Sequence, residues 1–258
     1  MRLVVWQNFV TILYYLDMNQ KDQGANADIL FHGEGSTEAI KLIYKESAQF
    51  LTNKLKEKLN PGEYTLADLG SHKGAFLTDF ISLLPDYNFI TTAIDVNGDD
   101  LKDNQAMKKI ISNLKNIPVS DKAFDVVIAR YSIAWNTFED QNKILTEIKR
   151  ITKKIAIIQH QGADSDNPIP LQTASEKLFS GIIPKLKRNE FFFSTPKHIE
   201  GFMQELDLNF EKIQDRKVEG LSGVLAERFK LTDVEALETK KILEGSDYIT
   251  QSAWIINF

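Results

Sequence analysis

Asp68-Leu69-Gly70-Ser71-His72-Lys73-Gly74 is the stretch that decides the fold class. It follows a short apolar run, Thr65-Leu66-Ala67-Asp68-Leu69, and precedes Ala75 to Leu84, which is apolar at helical period and stops at Pro85. Strand, tight turn and helix in that order open a βαβ unit. Gly70 allows a turn where a side chain would obstruct a ligand, and Gly74 allows close approach at the helix start. The helix itself offers unpaired backbone N–H groups and the positive end of its dipole. In an open parallel sheet, ligands bind outside the carboxyl ends of the strands, where this turn lies.

The alternation continues on both sides. Phe89 to Ile94 is rich in β-branched residues and ends at Asp95. A polar helix is expected next, with Leu101, Met107 and Ile110 as its buried side. Phe124 to Ala129 reads as a buried strand and Thr137 to Ile151 as an amphipathic helix, with Thr137 and Asp140 in capping-box spacing. Ile155 to Ile158 is again a strand. Near-continuous apolar strands fit a parallel sheet covered by helices on both faces. Upstream, Ser36 suits an N-cap, and Ile40, Ile43, Tyr44, Ala48, Leu51, Leu55 and Leu59 recur at helical spacing up to Pro61-Gly62. Downstream, Pro196 to Leu206 and Leu231 to Leu243 read as helices, Phe210 to Val218 and Tyr248 to Phe258 as strands.

Composition narrows the function classes. The 258 residues are 43% hydrophobic and 26% charged, an ordinary globular balance that supports a sizeable core. Without cysteine there are no disulfides, thiolate metal sites or cysteine nucleophiles. A net charge of −5 argues against a nucleic-acid partner, whose phosphates usually demand a basic footprint. The lysine clusters Lys54–Lys58 and Lys185–Arg188 read as solvated faces. The apolar stretches near the N-terminus, Leu3 to Trp6 and Phe9 to Leu16, are too short to span a bilayer. They read as an amphipathic segment packing on the domain rather than a signal peptide, so a cytoplasmic protein without a membrane partner is expected.

Two further features turn the glycine turn into a cofactor hypothesis. An acidic residue at the end of the second strand, Asp95, can accept hydrogen bonds from both hydroxyls of a ribose. The segment Asn113 to Val127 then resembles one common in class I S-adenosylmethionine-dependent methyltransferases, through Asn113, Ile117-Pro118, Ser120-Asp121-Lys122 and Phe124-Asp125. Arg150-Ile151-Thr152-Lys153-Lys154 is similar to the lead-in to that family's fifth strand. The resemblance covers roughly Glu63 to Gln161. It implies an α/β, Rossmann-like fold with a seven-stranded, mostly parallel sheet and helices on both faces. Residues 1–60 would form an N-terminal helical or lid segment, and residues 61–258 the methyltransferase-like domain with C-terminal additions to the lid.

The resemblance also implies roles. Gly70, Ser71, His72 and Gly74 would surround the methionine portion and sulfonium side of S-adenosylmethionine, with Asp68 reaching its amino group. Asp95 would hold the ribose and Val96 pack on the adenine. Asn113 and the Leu114 backbone would meet the adenine edge, and Arg130 and Tyr131 would border the transferable methyl. Two departures stand out: His72 occupies a position where the family often has glycine, and the usual glycine after the lead-in lysine is missing.

Methyl transfer needs alignment and water exclusion more than elaborate acid–base machinery. The candidate bases are His160, Tyr131 and His72, histidine having the titration range that suits proton removal near neutrality. The Asn-Pro-Pro-Tyr-like motif typical of relatives that methylate nucleic-acid bases or glutamine amides is absent after the fourth strand, which favours a small-molecule O-, N- or C-acceptor. Trp6, Phe9, Tyr14, Tyr15, Trp135 and Phe191 to Phe193 are candidates to cover that acceptor, and Asp164 and Asp166 to meet it. No metal is expected, and the protein would be a monomer or homodimer. Two alternatives remain: a non-catalytic S-adenosylmethionine-binding protein of the same fold, and an NAD(P)-dependent oxidoreductase. The latter lacks its G-x-G-x-x-G fingerprint, since position 72 is histidine and position 75 alanine.

Overall fold

Apolar residues at successive positions of each central strand enter two different cores, and this alternation builds the molecule. The computed structural model describes residues 37–166, 194–219, 232–243 and 248–258. In chain order these form α1 (Thr37–Lys56), β1 (Glu63–Leu69), α2 (Ala75–Ser82), β2 (Asn88–Asp95), α3 (Gly98–Asp103), β3 (Lys108–Ile111) and β4 (Phe124–Arg130). A 3-10 helix, Ser132–Trp135, precedes α4 (Phe138–Ile151), β5 (Thr152–Gly162), α5 (Pro196–Glu205), β6 (Asn209–Glu219), α6 (Asp233–Ile242) and β7 (Tyr248–Asn257).

The strands make one seven-stranded sheet of order β3-β2-β1-β4-β5-β7-β6. The pairs from β3 to β5 are parallel, and β7 runs antiparallel to both β5 and β6. The strand order reverses between β1 and β4, the switch point where ligands bind in open α/β sheets. On one face, Val126, Ile128, Ile155, Ile157, Ala253 and Ile255 pack against Ala48, Leu51 and Leu55 of α1 and Phe76, Leu77 and Phe80 of α2. On the other, Val127, Ala129, Ala156, Ile158, Trp254 and Ile256 meet Ile144, Leu145 and Ile148 of α4 and Ile199, Phe202 and Met203 of α5. Both faces are covered, which is why the strands read as continuous apolar runs.

The expected Rossmann-like architecture is therefore observed, with three local differences. The helix expected to include Met107 and Ile110 ends at Asp103. Lys108–Ile111 is instead an edge strand pairing with Thr92–Asp95, and Met107 is 69% exposed. A short edge strand buries little, so its apolar residues carry no clean period. Secondly, β5 runs on past Ile158 to Gly162 because β7 pairs with it as far as Gly162–Thr250, so His160 lies within a strand rather than at its end. Thirdly, α1 stops at Lys56, short of Leu59. Thr137 caps α4 as expected, accepting from the Asp140 N–H at 3.1 Å. The first 36 residues, Lys185–Arg188 and Phe191–Phe193 lie outside the described residues.

The Arg150 lead-in has a physical role. Its guanidinium donates to the carbonyls of Ile117 (2.9 Å) and Val119 (2.8 Å), to Asp121 (2.8 Å) and to both oxygens of Glu147. Glu147 in turn accepts from the Ile117 N–H at 2.6 Å. A planar fork of donors thus staples the loop before β4 onto α4. Arg150→Ala should lower unfolding free energy by about 2 kcal/mol in urea denaturation, and Arg150→Lys should restore only part of it, because an ammonium lacks the fork.

Candidate functional site

The turn after β1 is shaped by three left-handed residues: Gly70 (φ 71°), His72 (φ 48°) and Gly74 (φ 81°). His72 thus takes up, at some strain, the backbone region that a glycine would enter freely. The turn is laced to its surroundings. Gly70 N–H donates to the Ile94 carbonyl at 2.8 Å, and Gly74 N–H to that of Ser71 at 2.9 Å. His72 N–H donates to the Asp95 carboxylate at 2.9 Å, while its ring Nε2 lies 3.2 Å from Asp100 on α3. The imidazole is thereby drawn towards α3.

Asn104, just after α3, fastens the turn from behind. Its Nδ2 donates to Ser71 Oγ at 2.9 Å and to the His72 carbonyl at 2.8 Å. A Cβ on Gly74 would stand 2.7 Å from this amide, so the glycine is needed for close approach as well as for its φ. Asn104 is 2% exposed. Nothing in its local sequence distinguishes it, since its role arises from a contact across the fold.

Asp95 ends β2 next to the turn. One carboxylate oxygen accepts from His72 N–H and the other from Asn97 N–H, each at 2.9 Å. Burial pushes its pKa up, opposed by the backbone N–H groups of Asn97, His72 and Val96. Val96 is half-buried beside it. Beyond β3, Asn113 is exposed and its Oδ1 accepts from Lys115 N–H at 3.0 Å, while Leu114 is buried in the core.

Asp68 ends β1's inner half, buried, and accepts from Ser71 Oγ at 2.6 Å. Burial pushes its carboxyl up to about 6, against the pull of the Ser71 hydroxyl and the Arg130 charge. The Arg130 guanidinium, at the end of β4, lies 4.7 Å from the Phe76 ring centre and 4.9 Å from that of Tyr131. Tyr131 follows with φ 61°, and Gln251 of β7 donates to its hydroxyl. Burial raises the Tyr131 phenol to about 12, so it stays protonated near neutrality.

His160 is fully buried on β5, its Nε2 3.0 Å from the Ser194 carbonyl. Burial holds its pKa down to about 4, against the Ser194 hydrogen bond, so the ring is neutral at physiological pH. Asp164 is engaged by Lys217 at 2.5 Å and by the Tyr248 hydroxyl, and Asp166 by Lys197 at 3.0 Å. Trp135 closes the 3-10 helix after Tyr131. The other aromatic residues considered for the acceptor lie outside the described residues.

Asp68, the turn, Asp95, Val96, Arg130 and Tyr131 are thus gathered at the carboxyl ends of β1, β2 and β4. His160 adjoins them, because Tyr131 N–H donates to the carbonyl of its neighbour Gln159 at 2.5 Å. Asn113 stands at the far side, past β3. Sequence reasoning missed Asp100 and Asn104, on and just after α3, Gln251 of β7 and Ser194 before α5. Among the described residues, no group of three or more His, Asp or Glu is placed to hold a metal ion, and no helix is long and apolar enough to cross a membrane.

This strand order places the glycine turn and the strand-end Asp95 at the switch point between β1 and β4, where ligands bind in open α/β sheets. Residues 67–158 match the family described as a methyltransferase domain. No curated protein matches it significantly. Among solved structures it is similar to the YcgJ protein of Bacillus subtilis, at 14% identity and TM-score 0.58, over 81% of this chain and 98% of that one. It is similar to geranyl diphosphate methyltransferase bound to S-adenosylmethionine (12% identity, TM-score 0.57, 89% and 94% covered). The [4+2]-cyclase SpnF shares the fold as well (14% identity, TM-score 0.51, 82% of each chain). These likenesses concern the fold, so the acceptor must be argued from this chain's own residues.

Gly74→Ala should destabilise the protein by about 1–3 kcal/mol, since it forces a left-handed alanine and meets Asn104. Asn104→Ala in the same chain should relieve the clash but not the backbone strain, giving partial recovery in thermal unfolding.

Proposed function

We propose that the chain transfers a methyl group to a small-molecule acceptor bearing an O–H or N–H, with the cofactor lying across the carboxyl ends of β1, β2 and β4. The observation that carries this reading is the closed pairing of the left-handed turn with Asp95. Asp95 accepts the backbone N–H groups of His72 and Asn97 on separate oxygens and that of Val96 beside them, and the lone-pair capacity a carboxylate keeps beyond these suits a ribose hydroxyl. Val96, Asn113 and Leu114 would flank the adenine, with Asn113 offering its amide at the exposed side. Gly70, Ser71, His72 and Gly74 would pass along the methionine portion. Asp68 and Arg130, a carboxyl and a guanidinium at neighbouring strand ends, are the complement of an amino acid's ammonium and carboxylate.

When bound, S-adenosylmethionine supplies a methyl group already activated by its positive sulfur. The chain's own residues then align the acceptor, exclude water and take its proton. Of the three candidate bases, His160 fits best. Tyr131 keeps its proton, and the His72 ring is turned to Asp100, whereas His160 is neutral at pH 7 and its Nδ1, fully buried, has no hydrogen-bond partner among the described residues. A bare buried acceptor nitrogen calls for a donor, and an acceptor molecule with O–H or N–H would bring one. The acidic balance of the chain, −5, supports a small molecule over nucleic acid.

Calorimetry with S-adenosylhomocysteine tests the cofactor half. Asp95→Ala should weaken binding by about 10–100-fold, the cost of a lost charged hydrogen-bond partner; no binding to the wild-type chain would overturn the reading. The sign of the pH effect follows from Asp68. Its carboxyl, raised to about 6, is protonated below that pH and must ionise to meet an ammonium. Affinity should therefore fall as pH drops from 7.5 to 5, with proton release on binding near pH 6, and Asp68→Asn should flatten this dependence.

A further inference from the structure

A carbonyl oxygen can only accept a hydrogen bond, and this fixes the protonation of His160. The 3.0 Å contact between Nε2 and the Ser194 carbonyl requires the proton on Nε2. A neutral imidazole carries one such proton, so Nδ1 is left bare, and it is the ring atom that finds no partner among the described residues.

The carbonyl is held in place by two residues. Gly162, two positions along β5, lies directly beneath it: a Cβ there would stand 1.8 Å from the Ser194 oxygen and 2.7 Å from His160 Nε2. Ser194 can cross the strand at this height only over a glycine. On the other side, Ser194 Oγ donates to Oε1 of Gln141, in the first turn of α4. Gln141 Nε2 donates to the Asn136 carbonyl at 3.0 Å, and its side chain is wholly buried. The tether therefore runs from the 3-10 helix behind Tyr131, through Gln141 and Ser194, to the imidazole.

We infer that Gly162 and Gln141 are positioning residues: they seat the Ser194 carbonyl so that His160 is locked as the Nε2–H tautomer, with Nδ1 as its one proton-accepting atom. The inference rests on the methyltransferase reading only for the use made of Nδ1; the tautomer lock itself does not. An acceptor's proton arriving at Nδ1 would give an imidazolium whose Nε2–H still donates to Ser194, so the same carbonyl serves the ring before and after proton uptake.

Long-range 1H–15N spectra of 15N-histidine-labelled protein read the tautomer directly, His160 being assigned by loss of its signals in His160→Gln. Wild-type protein at pH 7 should show a single Nε2–H tautomer. Gly162→Ala should displace the carbonyl and give a mixture of both tautomers. Gln141→Leu, which keeps the apolar packing of α4, should shift the populations in the same direction, and serves if Gly162→Ala fails to fold. S-adenosylhomocysteine affinity, measured on the same samples, should stay within twofold of wild type. A mixed or Nδ1–H wild-type ring, or an unchanged tautomer in each folded variant, would overturn the inference. Failure of S-adenosylhomocysteine to bind wild-type protein would instead strike the methyltransferase reading and leave the tautomer result standing.

Discussion

The hydrogen bond from His72 N–H to the Asp95 carboxylate joins the carboxyl ends of β1 and β2. It ties the turn after β1 to the end of β2, across neighbouring parallel strands whose register is set by the pairs Glu63–Asn88 to Leu69–Ile94. For that N–H to face the carboxylate, His72 must be left-handed, with glycines at similar φ on either side. Asn104 and Asp100 hold the unfavourable conformation by bonding the His72 carbonyl and ring. The strain stored in one residue is thus offset by contacts from an element more than 25 residues away in sequence.

Burial then differentiates chemically similar groups at this end of the sheet. Asp68 and Asp95 are both buried and both raised, but Asp95 is steadied by backbone donors and Asp68 by one hydroxyl and a neighbouring arginine. Tyr131 and His160, buried alike, are driven in opposite directions, each towards its neutral form. A phenol that keeps its proton and an imidazole that keeps its lone pair are a donor and an acceptor, and the strand order β4-β5 sets them side by side.

The fold was legible because its central strands carry two cores. Alternate residues of β4 and β5 pack on opposite layers, so both positions are apolar, and the runs Phe124–Ala129 and Ile155–Ile158 stand out. Edge strand β3 did not stand out: one side has no partner strand, Ile111 is 66% exposed, and Lys108 and Lys109 replace apolar residues. The length of β5 was equally hidden, since residues 159–161 are polar and are buried where β7 pairs with them and Ser47, Gln214 and Ser194 hydrogen-bond to Gln159 and His160.

The glycine turn, Asp95 and the Asn113 to Asp125 segment were readable because their chemistry is local: φ > 0 needs glycine or a held residue, and a strand-end carboxylate sits where strand periodicity stops. Local sequence therefore determined the fold class and marked the turn and the strand-end carboxylate at the switch point. Tertiary structure alone decided which candidate base has an open nitrogen. That choice depends on Ser194, Gly162 and Gln141 meeting from positions at least 21 apart along the chain. A tautomer is set by which atom approaches which nitrogen, and no periodicity or composition records an approach made across the core.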